Sequence, residues 1–327
     1  MTSTTMKATI LGGGRMAQVL SGMLLRTGVQ VQLWARREEV RNKLAAALKD
    51  VKVCATVGEA CEGSRTVFLT VPANALAEVS ALYGDHAEGD HVVLHAARGV
   101  AEGFVLPHQA IRSQCCVRKV GALGGPLYTI ADGSSRPLVA VVGSRFTETV
   151  ELARRLVSGT SVRIHITSDI VGVEVAGAVS NVTALAVGMA DALDLGETAR
   201  GVLMTRGLSE ATRLGVRLGA ELSTFSGLAG VGDLIPRPVS SMQRHRDVGA
   251  RVAQGATLEQ ALASVQGCVE GVLTAFEGAA LSRRLGVKLP LVCAVDQILR
   301  GETQPRAALD EILRLDIELE RESVSAR

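Results

Sequence analysis

The sequence lacks a block of basic residues: 35 Lys and Arg face 33 Asp and Glu, and the formal net charge of the 327-residue chain is +2. Proteins that bind nucleic acid or an anionic membrane surface usually carry a basic excess or a clustered Lys/Arg face. The charge balance therefore argues against both kinds of partner. What remains is the profile of a packed globular protein, with 47% hydrophobic and 21% charged residues, in a chain long enough for two domains.

Long apolar runs are also missing. Residues 1–6, before the first apolar run, are polar and rich in Ser and Thr, so we expect no secretory signal peptide. No run approaches the roughly 18 apolar residues that span a bilayer, so we expect no membrane span.

Residues that could form disulfide bonds or bind a metal are few and scattered. None of the six cysteines forms a Cys-x-x-Cys pair, which favours reduced, buried thiols and a cytoplasmic location. The adjacent Cys115 and Cys116 leave a redox-active pair as the alternative. The six histidines show no spacing typical of metal ligands, and we expect no bound metal.

Short apolar runs alternate with helical patterns in the first half of the chain. The predicted strands are 8–11, 29–34, 66–71, 91–96, 118–123, 138–142 and 162–166, with helical stretches such as 16–27 and 38–49 between them. Nearly continuous apolar runs are typical of strands covered on both faces. The alternation predicts an α/β fold that begins with a Rossmann domain, whose doubly wound sheet is mostly parallel.

The pattern changes near residue 168. Beyond it strand-like runs nearly disappear, and helical apolar spacing covers 169–190, 215–218, 258–265, 272–285 and 289–299. We therefore predict a dinucleotide-binding Rossmann domain over residues 1–168. A mainly α-helical domain for substrate binding and dimerisation would follow over 169–327.

A glycine-rich segment, Gly-Gly-Gly-Arg-Met-Ala at 12–17, follows the first predicted strand and opens the first helix. It matches the pattern G-x-G-x-x-A, in which Gly12 allows a tight turn and Gly14 lets the backbone approach a pyrophosphate. Arg15 and Met16 begin the helix, whose free N–H groups and positive dipole end favour phosphate. This context indicates a dinucleotide site rather than a purely structural turn.

Cofactor choice is read at the end of the second strand, where enzymes that use NAD usually carry Asp or Glu. Here the segment after Trp34 reads Ala35-Arg36-Arg37. Two guanidinium groups are suited to a 2′-phosphate, which favours NADP over NAD, with use of both cofactors left open. The alternative is a pair of solvated surface arginines.

Further stretches occur in a recognisable order along the chain. They are Leu33-Trp34-Ala35-Arg36, Val71-Pro72, Gly125-Pro126, Gly172-Val173-Glu174, Thr205-Arg206-Gly207-Leu208 with Glu210, the run from Thr224 to Leu234, and Val269-Glu270-Gly271. With them the sequence resembles the NAD(P)-dependent glycerol-3-phosphate dehydrogenase family over nearly its whole length. The resemblance implies interconversion of dihydroxyacetone phosphate and glycerol 3-phosphate, a small anionic substrate and a homodimer.

The resemblance also implies site residues. In the family, the lysine of a Lys-Asn pair on the first helix of the second domain polarises the carbonyl and moves the proton, and here that pair is Ser180-Asn181. Arg98 stands where the family has a second active-site lysine. We therefore assign Ser180, Asn181 and Arg98 to the catalytic site, although a serine hydroxyl cannot bring positive charge to a developing alkoxide.

The phosphate clamp Ser-Arg-Asn of the family corresponds to Gln243-Arg244-His245, of which only the arginine is kept. The resemblance implies that Gly125, Asp233, Arg244 and His245 bind substrate, and that Arg98, Arg244 and Glu270 also contact the cofactor. Leu127 replaces a small residue after Gly125-Pro126. Other interpretations stay open: Asp233 as a helix N-cap, Arg244 on a solvated face, His245 as a partly exposed histidine and Glu174 as a structural residue.

Three functions fit this mixture of kept and altered residues. The first is an NAD(P)H-dependent dehydrogenase of glycerol 3-phosphate with altered catalytic residues. The second is a dinucleotide-binding relative without dehydrogenase activity. The third is a dehydrogenase of a different small anionic hydroxy compound.

Overall fold

A computed structural model of the chain describes residues 6–126, 138–160, 162–235 and 241–315. Its backbone divides into two compact units. Unit 1 comprises Met1–Arg98 and Val105–Glu174, and unit 2 comprises Gly99–Phe104 and Val175–Arg327. The sequence placed the boundary at residue 168, whereas the structure divides the chain six residues later, inside a helix, and adds the short segment Gly99–Phe104 to unit 2.

Unit 1 is built on one eight-stranded sheet. The strands are β1 (Lys7–Leu11), β2 (Gln30–Trp34), β3 (Lys52–Val53), β4 (Thr66–Leu69), β5 (Val92–His95), β6 (Lys119–Gly124), β7 (Leu138–Gly143) and β8 (Val162–Thr167). Their order is β3-β2-β1-β4-β5-β6-β7-β8. All neighbouring pairs are parallel except β6 and β7, which are antiparallel.

The predicted fold class is confirmed, and all seven predicted strands are present. The sequence missed β3, because two residues, of which only Val53 is half-buried, leave no apolar run to detect. The first six strands follow the order 3-2-1-4-5-6 of dinucleotide-binding folds. The order reverses beside β1, so a ligand crevice is expected outside the carboxyl ends of β1 and β4.

Helices connect the strands of unit 1. They are α1 (Arg15–Arg26), α2 (Glu38–Ala47), α3 (Val57–Cys61), α4 (Leu76–Gly84), α5 (Pro107–Arg112) and α6 (Thr147–Leu156). Helix α1 shows why they pack: Ala17, Leu20 and Leu24 recur at helical spacing, and all three are buried. They join Ile10 and Leu33 in the apolar core around the sheet.

The remaining helices are α7 (Ile170–Ala192), α8 (Gly196–Arg217), α9 (Leu222–Ser226), α10 (Val231–Leu234), α11 (Ser241–Ala253), α12 (Leu258–Ala263), α13 (Glu270–Leu285), α14 (Pro290–Leu299) and α15 (Pro305–Arg314). Apart from the first residues of α7, they belong to unit 2. The predicted helical character of the second half is thus confirmed. The sequence detected only the end of α8, because polar residues interrupt the apolar spacing of that helix.

Helix α7 corrects the expectation about long apolar segments. It is 23 residues long with a mean hydropathy of 1.7 in its most apolar window, so by length and composition it passes as a membrane span. All of that window is buried inside the protein, which is also the pattern of a core helix. Glu174, Ser180 and Asn181 interrupt the apolar run, so the sequence contains no uninterrupted stretch of 18 apolar residues there, although the helix as a whole is apolar.

Candidate functional site

The turn after β1 requires a glycine at position 12 for steric reasons. Gly12 has a φ of 130°, and a Cβ atom on it would lie 2.5 Å from Thr70 Oγ1 and 2.9 Å from the Thr70 carbonyl oxygen. Gly12 N donates to the carbonyl of Trp34 at 2.8 Å, and Thr70 N donates to that of Leu11 at 2.9 Å. These bonds fix the turn against the ends of β2 and β4, at the reversal of the strand order.

Gly14 has a different environment. A Cβ atom on it would meet nothing within 4 Å, and it is the exposed residue that precedes α1. Arg15, exposed, and Met16, half-buried, begin that helix. The first N–H groups of a helix have no intrahelical acceptor, so this open space beside them fits a diphosphate.

The predicted cofactor residues Gly12, Gly14, Arg36 and Arg37 line one cleft of unit 1. The cleft is lined by Gly12, Gly13, Gly14, Trp34, Ala35, Arg36, Arg37, Val40, Val71, Pro72, Ala75 and Val79. Arg36 and Arg37 are both exposed. Arg36 is not simply solvated, because its Nη1 lies 2.9 and 3.1 Å from the two carboxylate oxygens of Glu78.

Two more predicted site residues lie in unit 1, just beyond the carboxyl ends of β5 and β6. Arg98 follows β5 by three residues and is buried, with 5% of its surface exposed. Gly125 follows β6, is buried and has a φ of 75°, a conformation that few other residues adopt. Leu127, the altered position after this turn, lies outside the described residues.

Sequence reasoning missed a buried polar cluster around Glu174. The Glu174 carboxylate accepts hydrogen bonds from His108 N at 2.7 Å and pairs with His108 Nδ1 at 2.6 Å, and His95 Nε2 lies 2.8 Å from it. Burial alone would raise the pKa of Glu174, but the bonds from His108 and His95 lower it below the ordinary value. No local pattern could reveal the cluster, since His108 and Glu174 are 66 residues apart.

In unit 2, Ser180 and Asp233 are brought together. Both are buried; Ser180 Oγ lies 3.2 Å from Asp233 Oδ2 and 2.9 Å from the carbonyl oxygen of Gly177, to both of which it can donate. The alternative of Asp233 as a helix N-cap is wrong, because Gly230 holds that position before α10. A neutral hydroxyl thus contacts the carboxylate at the position that the resemblance aligns with the family's lysine.

Asn181, His245 and Gly271 form a second buried group in unit 2. A Cβ atom on Gly271 would lie 2.8 Å from the Asn181 carbonyl oxygen, so α7 and α13 approach closely there. Gly271 N donates to His245 Nε2 at 3.1 Å, which places the ring proton of neutral His245 on Nδ1. The interpretation of His245 as a partly exposed histidine is wrong, since 1% of its surface is exposed.

Arg244 and Glu270 lie next to this group. Arg244 is half-buried, and a Cβ atom on Gly267 would come within 2.9 Å of its Nη1. Glu270 is the first residue of α13 and packs against Gly99, where a Cβ atom would lie 2.7 Å from the Glu270 Cβ. Gln243, which precedes Arg244, is exposed and donates a hydrogen bond to Asp247 Oδ1 at 2.7 Å.

The structure describes all six cysteines and one group of side chains that could hold a metal ion. All six cysteines are free thiols, and desolvation raises the pKa of Cys115 above its ordinary value, which disfavours a reactive thiolate. Glu88, Asp90 and His91 have ligand atoms within 4.8 Å of one another, a grouping that the sequence reading overlooked. Asp90 is paired with Arg65, and His91 Nδ1 contacts the Tyr83 hydroxyl. Two of the three possible metal ligands therefore already have a partner within the protein.

Two protein-family models match this chain, one in each half. Residues 169–310 match the family model described as NAD-dependent glycerol-3-phosphate dehydrogenase C-terminus. Residues 7–99 match the model described as NADP oxidoreductase coenzyme F420-dependent.

Individual relatives match over nearly the full chain. The glycerol-3-phosphate dehydrogenase (NAD(P)+) of Chlorobium phaeobacteroides is 32% identical over 328 residues, which cover 94% of this chain and 98% of that protein. The one from Moorella thermoacetica is 34% identical over 306 residues, covering 89% and 90%.

A crystal structure of glycerol-3-phosphate dehydrogenase from Coxiella burnetii superposes with a TM-score of 0.89 at 26% identity, covering 95% of this chain and 99% of that one. The resemblance first seen in short ordered motifs therefore extends to the whole sequence and to the fold. This chain belongs to the NAD(P)-dependent glycerol-3-phosphate dehydrogenase family.

Proposed function

We propose that this protein is an NAD(P)H-dependent dehydrogenase that interconverts dihydroxyacetone phosphate and glycerol 3-phosphate with altered catalytic residues, and that it prefers NADPH slightly. The observation that carries the proposal is the glycine turn of unit 1, with open space over Gly14 at the first turn of α1. Its relatives over the full chain are glycerol-3-phosphate dehydrogenases (NAD(P)+) by name.

The residues of unit 1 fit a dinucleotide. The amides at the start of α1 would hold the pyrophosphate, and Gly14 leaves room for it. Arg36 and Arg37 would bind a 2′-phosphate by charge-assisted hydrogen bonds. When bound, the nicotinamide supplies the hydride; the chain's own residues hold the cofactor, orient the substrate and stabilise charge.

The substrate roles follow from the chemistry of each side chain. Arg98, permanently protonated, would polarise the carbonyl oxygen but is a poor proton donor. Arg244 would hold the phosphate group of the substrate, and Asn181 and Asp233 would orient it. Ser180 would donate a hydrogen bond where the family has a cation, and loss of a positioned acid–base group costs about 10²–10⁴ in rate.

The test is reduction of dihydroxyacetone phosphate, followed as oxidation of NADPH and of NADH at high enzyme concentration. We expect slow turnover with both cofactors, faster with NADPH. An Arg244→Gln variant should raise KM far more than it lowers kcat if this guanidinium holds the phosphate. Absence of turnover above buffer with either cofactor removes this substrate.

A second candidate is a dinucleotide-binding protein without dehydrogenase activity. The contact of Ser180 with Asp233 favours it, because the family lysine is absent from that position. Dinucleotide binding by calorimetry without hydride transfer would support this candidate, and turnover of any hydroxy compound would end it.

A Ser180→Lys variant distinguishes a lost acid from a changed pocket. The new ammonium group would meet the Asp233 carboxylate that Ser180 now contacts. If only the acid was lost, activity with dihydroxyacetone phosphate should rise by about 10²-fold or more. A Ser180→Ala variant is the control, because it removes the hydroxyl without adding charge. No gain in Ser180→Lys, with folding intact, favours a different small anionic hydroxy substrate.

We further propose that the protein acts in the cytoplasm as a homodimer. Six free cysteines support the reducing compartment, and the dimer rests on the family resemblance. Sedimentation of the purified chain measures the oligomeric state directly.

A further inference from the structure

The end of β2 carries charges of both signs. Arg36, which lines the dinucleotide cleft, is bound through Nη1 to both carboxylate oxygens of Glu78, at 2.9 and 3.1 Å. Glu78 comes from α4, one residue before Val79, which lines the same cleft. Both side chains remain more than half exposed, at 67% and 52%, so a ligand can reach either of them.

We propose that Glu78 determines cofactor specificity, by supplying from α4 the carboxylate that NAD-dependent enzymes usually carry at the end of the second strand. The inference rests on the proposed function, because it concerns the same cleft. A carboxylate can accept a hydrogen bond from the 2′-OH of NADH. The same negative charge opposes the 2′-phosphate of NADPH, which would share the Arg36 guanidinium with it.

The charges around the pair support this reading. Arg37 is exposed beside Arg36, and Arg41 Nη1 donates to the carbonyl oxygens of Ala35 and Arg36 at 2.8 and 3.0 Å, which holds the backbone after β2 in place. Arg36 and Arg37, which both line the cleft, thus favour a 2′-phosphate, and Glu78 holds Arg36 by direct contact. Removal of Glu78 should leave the positive charges unopposed at this contact, so we expect the preference for NADPH to increase.

The Arg36–Glu78 pair differs from another exposed ion pair of unit 1 in its position at the dinucleotide cleft. Arg65 and Asp90 form an exposed pair of similar length, 3.0 Å, also in unit 1, but neither residue lines the cleft. Arg65 and Asp90 precede β4 and β5, at the amino ends of strands, whereas ligands of this fold bind at the carboxyl ends. This second pair provides a matched control.

The experiment measures calorimetric Kd values for NADPH and NADH, with 2′,5′-ADP and 5′-AMP as fragment probes. For Glu78→Gln we expect the ratio of the NADH Kd to the NADPH Kd to rise about tenfold, because a unit negative charge about 5 Å away in water repels a 2′-phosphate that carries about −1.5 to −2 charges. The fragment probes should show the same change. The effect should be large at about 0.01 M salt, where the Debye length is about 30 Å, and small at about 1 M, where it is about 3 Å.

Asp90→Asn is the control variant, and its Kd ratio should equal that of the wild type. An unchanged ratio in Glu78→Gln, or equal tightening of both cofactors, overturns the inference while the proposed function stands. If the wild type binds neither dinucleotide, the proposed function fails instead, so the two failures are distinguishable. Matching thermal midpoints of the three proteins would show that folding does not account for the ratios.

Discussion

At the scale of single residues, Gly12 and Gly14 of the first turn have different environments. Gly12 has a positive φ, and a Cβ there would collide with the Thr70 backbone. Gly14 adopts a backbone conformation open to any residue, with φ −78° and ψ −175°, and faces empty space. The fold therefore requires a glycine at position 12, whereas position 14 has open space beside the start of α1.

Alanine substitutions should separate these roles. We expect Gly12→Ala to destabilise the protein by about 1–3 kcal/mol through backbone strain and overlap. Gly14→Ala should leave the free energy of unfolding within about 0.5 kcal/mol but weaken NADPH binding at least tenfold, because the methyl group occupies the space for the pyrophosphate. Urea unfolding and calorimetry measure the two effects. Equal loss of stability in both variants would contradict the assignment.

At the residue scale, sequence reasoning reaches only features that a local pattern carries. The turn from Gly12 to Gly14 and the change at Ser180 are visible in short motifs, and the structure gives both a physical environment. The cluster of Glu174, His95 and His108 was beyond reach, because only the fold brings these residues together. Glu78 escaped notice for the same reason: its partner Arg36 lies on another strand–helix unit.

At the scale of secondary-structure elements, α14 begins on a buried carboxylate. Glu210 of α8 accepts hydrogen bonds from Leu291 N at 2.6 Å and Val292 N at 3.0 Å, two of the N–H groups that a helix start leaves without acceptors. Desolvation raises the pKa of Glu210 from 4.5 to about 7, against the opposing effect of these bonds and of Arg213 and Arg206. The junction therefore titrates near neutral pH.

This pKa gives the stability a definite dependence on pH. Because the folded-state pKa is raised, the stabilising contribution is complete below about pH 4.5 and is lost as the pH rises through about 7. It amounts to about 3 kcal/mol at most. Glu210→Gln keeps one acceptor and does not titrate. The amount by which its free energy of unfolding falls below that of the wild type should therefore shrink between about pH 5 and pH 8 in urea unfolding. A constant difference across that range would contradict the raised pKa.

Element types were largely predictable, and the exceptions have physical causes. Continuous apolar runs identified the seven longer strands, since strands buried on both faces must be apolar throughout. The antiparallel pairing of β6 and β7 could not be read from them, because direction depends on the connection rather than on composition. Helix α8 was recognised only at its end, since many polar residues interrupt its apolar face.

At the scale of the whole molecule, the long apolar helix α7 is surrounded by helices of unit 2 that approach it at small residues. Gly188 of α7 lies against the Arg246 carbonyl of α11, and Gly207 of α8 lies against the Thr183 side chain, both too close to admit a Cβ atom. Gly271 of α13 packs against the carbonyl of Asn181. These contacts bury α7 within the protein, and the same helix carries Ser180 and Asn181, so packing around it also positions candidate site residues.

The importance of this close approach can be tested with two glycines in neighbouring helices. Gly188→Ala would place a methyl group inside the Arg246 backbone, which cannot rotate away, so we expect a loss of about 1–3 kcal/mol in the free energy of unfolding. Gly201→Ala is the matched control, since Gly201 is an exposed residue of α8 with nothing within 4 Å of a Cβ atom. Its better helix propensity should stabilise the protein by about 0.5–1 kcal/mol. Both variants make the same chemical change. Changes of opposite sign in the free energy of unfolding, measured with urea, would therefore identify packing around α7 as the cause. Changes of the same sign would mean that α7 can shift to accommodate the methyl group.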